Sequence, residues 1–388
     1  MASQYSHLQF FRRVPRPLLS DYFSSKGISL NIDWEKLKPS EVEPILDAFM
    51  QLDDSQQAEI EAQFQDVHAL ACDGGIAALV DEAAFHGDEG FADEIAKIEG
   101  HHAKVMWALM KKPDYWRGAT MFLHADNVSP SYWKKRNDLP SLPPCVEEDD
   151  IQALASAISH LFSKEGRGKN CKVEPYRRHD REYFFAYPED FAQLGVEWVS
   201  NTLKTLAHHP AFEIIFVYCE AEGSLDIYAP RNTKAVPELQ RIFSGSILKL
   251  EALPDGTIDK RVYDLAPLED KNFNFTIAPE SGIASVEVKR MRLTLKHGKN
   301  RRITLEADTQ HNPKAVYDLR DSLNLPPHFI TQLGVKVTFE AQEGKRAKTR
   351  TFNITYPNSC ALNNDGLDLR IRNMLAASGI EPRLESAA

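Results

Sequence analysis

Residues 286–295 read VEVKRMRLTL and residues 301–307 read RRITLEA, with the polar turn KHGKN between them. Met291, Leu293 and Leu295 alternate with Arg290, Arg292, Thr294 and Lys296. Side chains on a strand point to opposite faces at period two, so this pattern predicts a hairpin with an oily underside and a cationic, hydroxyl-bearing top. The same alternation returns in Val335, Val337 and Phe339, and in Phe352, Ile354 and Tyr356.

Working outward, a strand, a short turn, a second strand and a helix recur four times. The first unit is residues 172–176, the turn RRHD, residues 181–187 and a helix near 196–206. The second is residues 212–218, the turn CEAEG, residues 224–228 and a helix over 234–243. The third follows the quoted hairpin with a helix over 314–323, and the fourth has strands at 335–340 and 349–356 and a helix over 367–377. RNTKAVPEL at 231–239 echoes HNPKAVYDL at 311–319, the kind of self-similarity that repeats leave. Strands such as YFFAY (183–187) and IIFVY (214–218) are continuously apolar, which predicts a first sheet covered on both faces. The second sheet, by contrast, is expected to keep one polar face open.

Before residue 165 the pattern is helical. Ile45, Phe49, Ile60, Phe64 and Val67 fall at helical spacing, and the apolar spacing continues to about residue 112. Cys72, before Asp73-Gly74-Gly75, reads as lying at a helix end. The segment NDLPSLPPCVEEDD (137–150) reads as a linker ahead of one more helix capped by Asp150. The fold class is therefore α+β: an all-helical N-terminal domain, then repeated ββα units forming antiparallel sheets with helices packed on one face. The expected divisions are a helical domain at 1–166, a first ββα-ββα module at 167–250, bridging strands and loops at 251–285, and a second module at 286–388. Residues 261–265 and 273–277 are the expected bridging strands.

Charge is unevenly placed. Residues 1–150 hold 14 Lys/Arg against 26 Asp/Glu, whereas residues 151–388 hold 32 against 30. Such asymmetry suggests different partners for the two parts. The five cysteines are scattered without a CxxC pair, which fits reduced thiols, and with no stretch of about 18 apolar residues the expected location is cytoplasmic. No phosphate-cradling or nucleophile motif is present. The adjacent pairs His101-His102 and His208-His209 lack chelating spacing, so neither a metal nor a cofactor is expected.

Two chemistries compete for the C-terminal part. Residues 286–302 hold seven Lys/Arg and one acid. Arg290, Arg292, Lys296, Lys299, Arg301 and Arg302, with Lys345, Arg346 and Lys348 from the unit-four turn, form a candidate nucleic-acid-binding face, since cations supply affinity for phosphate and hydroxyls position it. Alternatively, Pro279-Glu280 followed by Glu287-Val288-Lys289 resembles the Pro-(Asp/Glu)…(Asp/Glu)-x-Lys pattern of restriction-type nucleases. That resemblance implies Glu280 and Glu287 holding a divalent metal while Lys289 assists the attacking water. Trp116, Arg117, Trp133 and Arg136 are aromatic–basic candidates for a protein partner. The sequence reading favours a non-enzymatic binding or scaffold protein that contacts nucleic acid, with a metal-dependent nuclease and a structural subunit of a bacterial complex as alternatives.

Overall fold

The structure is a computed structural model that describes residues 4–38, 41–199, 201–254, 262–297, 301–341, 346–364 and 366–381. Its contacts divide the chain into two compact units, Met1–Val128 and Ser129–Ala388. The sequence boundary near 167 marks instead where the long strands begin.

The first unit is helical: α1 (His7–Arg13), α2 (Arg16–Ser25), α3 (Glu43–Phe49), α4 (Asp54–Leu70), α5 (Asp73–Phe85), α6 (Phe91–Ala96), α7 (His101–Lys111) and α8 (Trp116–Asn127). Phe64 is the hub of its core. Phe10 stacks on it at 4.4 Å, Tyr22 lies at 5.2 Å and Phe11 at 5.9 Å edge-on. Phe10-Phe11-Arg12-Arg13 thus ends helix α1, with Phe10 and Phe11 buried. Cys72 sits at the end of α4 but also at the N-cap of α5, where its sulfur accepts from the Gly75 amide at 3.4 Å. The end that matters there is a helix start. His102 is buried on α7, its Nε2 3.1 Å from Nδ1 of His68 on α4. Burial, then the charges of His68, Arg13 and His101, push its pKa down to about 4.

The second unit holds three antiparallel sheets. Its elements are β1 (Trp133–Arg136), α9 (Glu148–Ser163), β2 (Cys171–Arg178), β3 (Arg181–Pro188), β4 (Gln193–Val199), β5 (Thr202–His208), β6 (Ile214–Cys219), β7 (Ser224–Tyr228), α10 (Val236–Ser246), β8 (Ile283–Leu295), β9 (Arg302–Glu306), α11 (Ala315–Ser322), β10 (His328–Phe339), β11 (Thr349–Thr355), β12 (Ser359–Cys360) and α12 (Gly366–Ala377). Sheet one runs β1-β7-β6-β3-β2, sheet two β12-β11-β10-β8-β9, and β4 pairs with β5 alone. The architecture is α+β, a helical front followed by sheets.

Several local expectations change. The helix over 196–206 is absent; the described residues there belong to the β4–β5 hairpin. A strand appears at β1, ahead of the region where alternation is visible. Among the described residues of 262–277 there is no strand; Val262 and Tyr263 instead donate to the Pro357 carbonyl at 3.0 and 2.9 Å. Residue 261 lies outside the described residues. Helix α9 starts at Glu148 with Glu147 as its N-cap rather than at Asp150. The proline-rich linker is pinned to sheet one: Tyr218 Oη donates to Leu142 O at 2.8 Å, and Leu139 N donates to Gly223 O at 3.0 Å. Gly223 has φ +56°, and a Cβ there would meet Leu139 O at 2.1 Å, so this contact requires glycine.

The inner strands of sheet one, β3, β6 and β7, are buried on both faces, as the apolar runs predict. On one face Phe184, Phe216 and Ile227 pack against α9 and α10, with Phe243 5.2 Å from Phe184 and 5.3 Å from Phe216. On the other, at the β1 end, lies a buried knot of charge. Lys135 Nζ is 2.6 Å from Glu381, 3.3 Å from Glu222 and 4.0 Å from Asp226. Arg181 reaches Glu222 at 2.8 Å, and Arg372 lies 3.9 Å from Glu381. Arg372 also donates to Leu362 O at 2.7 Å, to Asn363 O at 3.0 Å and to the Tyr263 hydroxyl at 3.3 Å. Burial alone lowers the pKa of Lys135, but Glu381, Asp226 and Glu222 outweigh it and hold it raised. The backbone joins at the same place: Lys135 N donates to Asn358 O at 3.0 Å, and Ser359 Oγ donates to Trp133 O at 3.0 Å. The knot thus welds the β1 edge of sheet one to the β12 edge of sheet two.

Removing one member of a buried ion pair strands its partner, at a cost of roughly 3–5 kcal/mol. Lys135→Met and Glu381→Ala are therefore expected to lower the thermal midpoint by several degrees in calorimetry. Arg241→Ala, which breaks only the exposed Glu238 pair, is expected to leave it within error. The pKa of His102 gives a second expectation. The unfolded chain takes up a proton near pH 6.5 that folded His102 refuses until about 4, so stability is complete above 6.5 and falls as pH drops through that window. The midpoint of His102→Asn should fall less than that of the wild type between pH 7 and 4.5.

Candidate nucleic-acid interface

Sheet two carries its core on one side. Met291, Leu293, Leu333, Val335, Val337, Phe352 and Ile354 are buried against α11, α12 and the 262–268 segment. Tyr356 departs from the expected alternation: β11 ends at Thr355, and the ring is exposed. The other side of the sheet stays open, because period two turns every intervening residue outward.

Register places those outward residues. Arg292 faces Thr304 on β9 and Gln332 on β10, and Gln332 faces Thr355 on β11. Arg290 faces Gly334, which in turn faces Asn353. Thr294 faces Arg302. Arg290 reaches across Gly334 to donate from Nη2 to Asn353 Oδ1 at 2.8 Å. A Cβ on Gly334 would lie 3.1 Å from Arg290 Cβ and 3.3 Å from Asn353 Oδ1, so the bare glycine clears the path. Gln332 Nε2 donates to Thr355 Oγ1 at 2.7 Å, and the hydroxyls of Thr294 and Thr331 are 3.1 Å apart.

Among the described residues, Arg290, Arg292 and Arg302 have no ion pair. Side chains two apart on a strand lie about 7 Å apart. Two unit charges at that distance repel by roughly 0.6 kcal/mol in water and roughly 2.4 kcal/mol near a protein surface. Burial, followed by the neighbouring charges of Arg302 and Arg290, lowers the pKa of Arg292. Its Nε is buried with no hydrogen-bond partner. The two acids nearby do not relieve the cluster: Glu287 is taken by Lys336 at 3.4 Å and by the Thr309 hydroxyl at 2.5 Å, while Glu306, opposite Arg290, is exposed and has no ion pair among the described residues. Chemically, the face offers fork-shaped cationic donors backed by amides and hydroxyls, the set that grips phosphate oxygens.

Other candidates fall differently. Lys296, Arg301, Arg346 and Lys348 are exposed near the turns, while Lys299 and Lys345 lie outside the described residues. Arg350, the second residue of β11, is neutralised by Asp368 at 2.7 Å on the core side. Glu280 is exposed in a short turn before β8. Glu287 is four residues past the strand's first residue, about 13 Å along it, and Lys289 sits where the β8–β10 register shifts. No group of three or more His, Cys, Asp or Glu that could hold a metal ion exists among the described residues. The aromatic–basic candidates divide between the units. Trp116, on α8, hydrogen-bonds Asp66, with Arg117 nearby. Trp133 and Arg136 belong to β1, where Trp133 packs on Tyr228 at 5.4 Å and Arg136 is held by Asp138 and by Pro254 O at 2.8 Å. Sequence reasoning missed Gln332 and Gly334, whose place is visible only once β10 is set in register between β8 and β11.

The chain matches no protein-family model, no curated protein and no solved structure. No described helix is long and apolar enough to cross a membrane.

Proposed function

We propose that the protein is a binding protein that seats a nucleic-acid backbone on the open face of sheet two. The observation that carries this reading is the cluster of Arg290, Arg292 and Arg302, three guanidiniums with no ion pair among the described residues, beside a row of Thr, Asn and Gln side chains. Like charges held together repel one another until an anion arrives, so phosphate binding relieves a cost built into the folded state. The face has hydroxyls and amides to fix a phosphate, and among the described residues its exposed aromatic rings are confined to Phe329, opposite Thr294, and Tyr356, just past β11, which favours backbone contact over the stacking of successive bases. The acidic helical front repels nucleic acid and is left for a protein partner.

Binding of a short duplex DNA and a duplex RNA, followed by fluorescence anisotropy from 50 to 300 mM salt, tests the reading. Each arginine that meets a phosphate adds about 0.9 to the slope of log affinity against log salt. The triple variant Arg290→Ala, Arg292→Ala, Arg302→Ala should bind about tenfold or more weakly at 100 mM salt, with a slope smaller by two to three units. Gly334→Val, which blocks the path of Arg290 to Asn353, should weaken binding without removing a charge. Unchanged affinity in the triple variant would reject this face as the site.

A further inference from the structure

We propose that the β4–β5 hairpin is a self-association arm through which two copies of this chain pair. The arm is an extension of β3 and β6, two adjacent inner strands of sheet one. β3 and β6 pair as far as Ala186 and Ile214, the Glu189–Ala211 bridge continues the ladder, and Asp190 N donates to Pro210 O at 2.7 Å. Beyond that point β4 and β5 pair from Gln193–His208 to Val199–Thr202 and, among the described residues, with no other strand. Seven residues of strand project about 20 Å.

Its root is fixed. The Arg167 guanidinium lies over the Phe212 ring at 4.6 Å and the Phe162 ring at 4.9 Å, with Phe191 at 6.0 Å. The same arginine pairs with Glu165 at 2.7 Å and Asp190 at 3.7 Å, and His209 meets Glu189 at 3.1 Å. The arm is therefore aimed by the core of sheet one, while its far part is bare.

Register puts Leu194, Val196, Trp198, Leu203, Thr205 and Ala207 on one face. Leu194 is 75% exposed, Trp198 73%, Val196 64% and Leu203 54%. The opposite face mixes polar Gln193, Glu197, Thr202, Lys204 and His208 with Val199 and Leu206. A two-stranded ribbon is marginal in water by itself and needs a surface to pack on.

Charge and area choose the occupant. Glu197 and Lys204 face each other across the ribbon and cancel, so the arm has no attraction for nucleic acid or anionic lipid. Its two free edges would leave backbone groups unsatisfied in a bilayer. A second copy supplies an apolar face of the same length, neutrality and twist, and a twofold axis lays the two ribbons face to face as an isologous contact. The four large side chains withdraw roughly 500 Å² per copy, about 1,000 Å² in all, the threshold for a specific interface.

Sedimentation of the full chain over a concentration series tests this. The wild type is expected to shift from 43.9 kDa to twice that mass. Trp198→Glu should weaken dimerisation tenfold or more, and Val196→Glu should do the same independently. Gln193→Ala, on the other face, should leave it unchanged. Trp198 emission should move to shorter wavelength as the wild type associates, a shift read against Trp198→Phe. A wild type that stays monomeric at the highest concentration overturns the proposal, as does a dimer that Trp198→Glu and Val196→Glu leave intact.

Discussion

Lys135 is the residue on which the sheet-bearing unit turns. An ammonium taken out of water is expensive unless carboxylates and hydrogen bonds surround it. Here Glu222 lies in the turn after β6, Asp226 on β7 and Glu381 beyond the last helix, so the charge is satisfied only when segments more than 240 residues apart have converged. Arg372 and Arg181 complete the balance with the same carboxylates. Hydrophobic packing tolerates a small slip between two sheets; a buried charge with three specific partners does not. The knot thus sets how sheet one meets sheet two at the β1–β12 join.

That join explains which surfaces stay open. Sheet two spends its apolar face on α11, α12 and the 262–268 segment, and its edge strand β12 is occupied beside β1. Its outward face remains uncovered, and it is there that the arginines gather. The inner strands β3, β6 and β7 of sheet one are covered on both faces, and the sheet extends lengthwise into solvent through the ribbon that grows from β3 and β6. Two surfaces of opposite chemistry result, one cationic and hydroxyl-bearing, the other apolar and neutral.

Much of this was legible in residue order, and the rest has physical reasons for being hidden. Alternation in β8, β10 and β11 announces a one-sided sheet because every second residue must choose oil or water. The cations of the candidate site are legible for the same reason, since Arg290 and Arg292 are two apart. Their partners Gln332 and Asn353 depend on register between residues 40 and 63 positions away, which local pattern does not set. The hairpin was hidden by a genuine ambiguity. Val196, Val199, Leu203 and Leu206 satisfy a helical spacing, while Leu194, Val196 and Trp198 satisfy a strand. The charge knot was hidden because nothing local distinguishes a lysine that will be buried from one that will be solvated; Lys134, Lys135 and Arg136 read alike until β1 takes its place at the sheet edge.

The most direct test of the central claim, that the open face of sheet two is the anion-binding surface, is arginine footprinting. Phenylglyoxal modification read by mass spectrometry would be compared with and without saturating duplex. The account predicts strong protection of Arg290, Arg292 and Arg302 together, with Arg12 and Arg241 modified equally in both samples. Equal modification of the three sheet arginines with and without a bound duplex would contradict it.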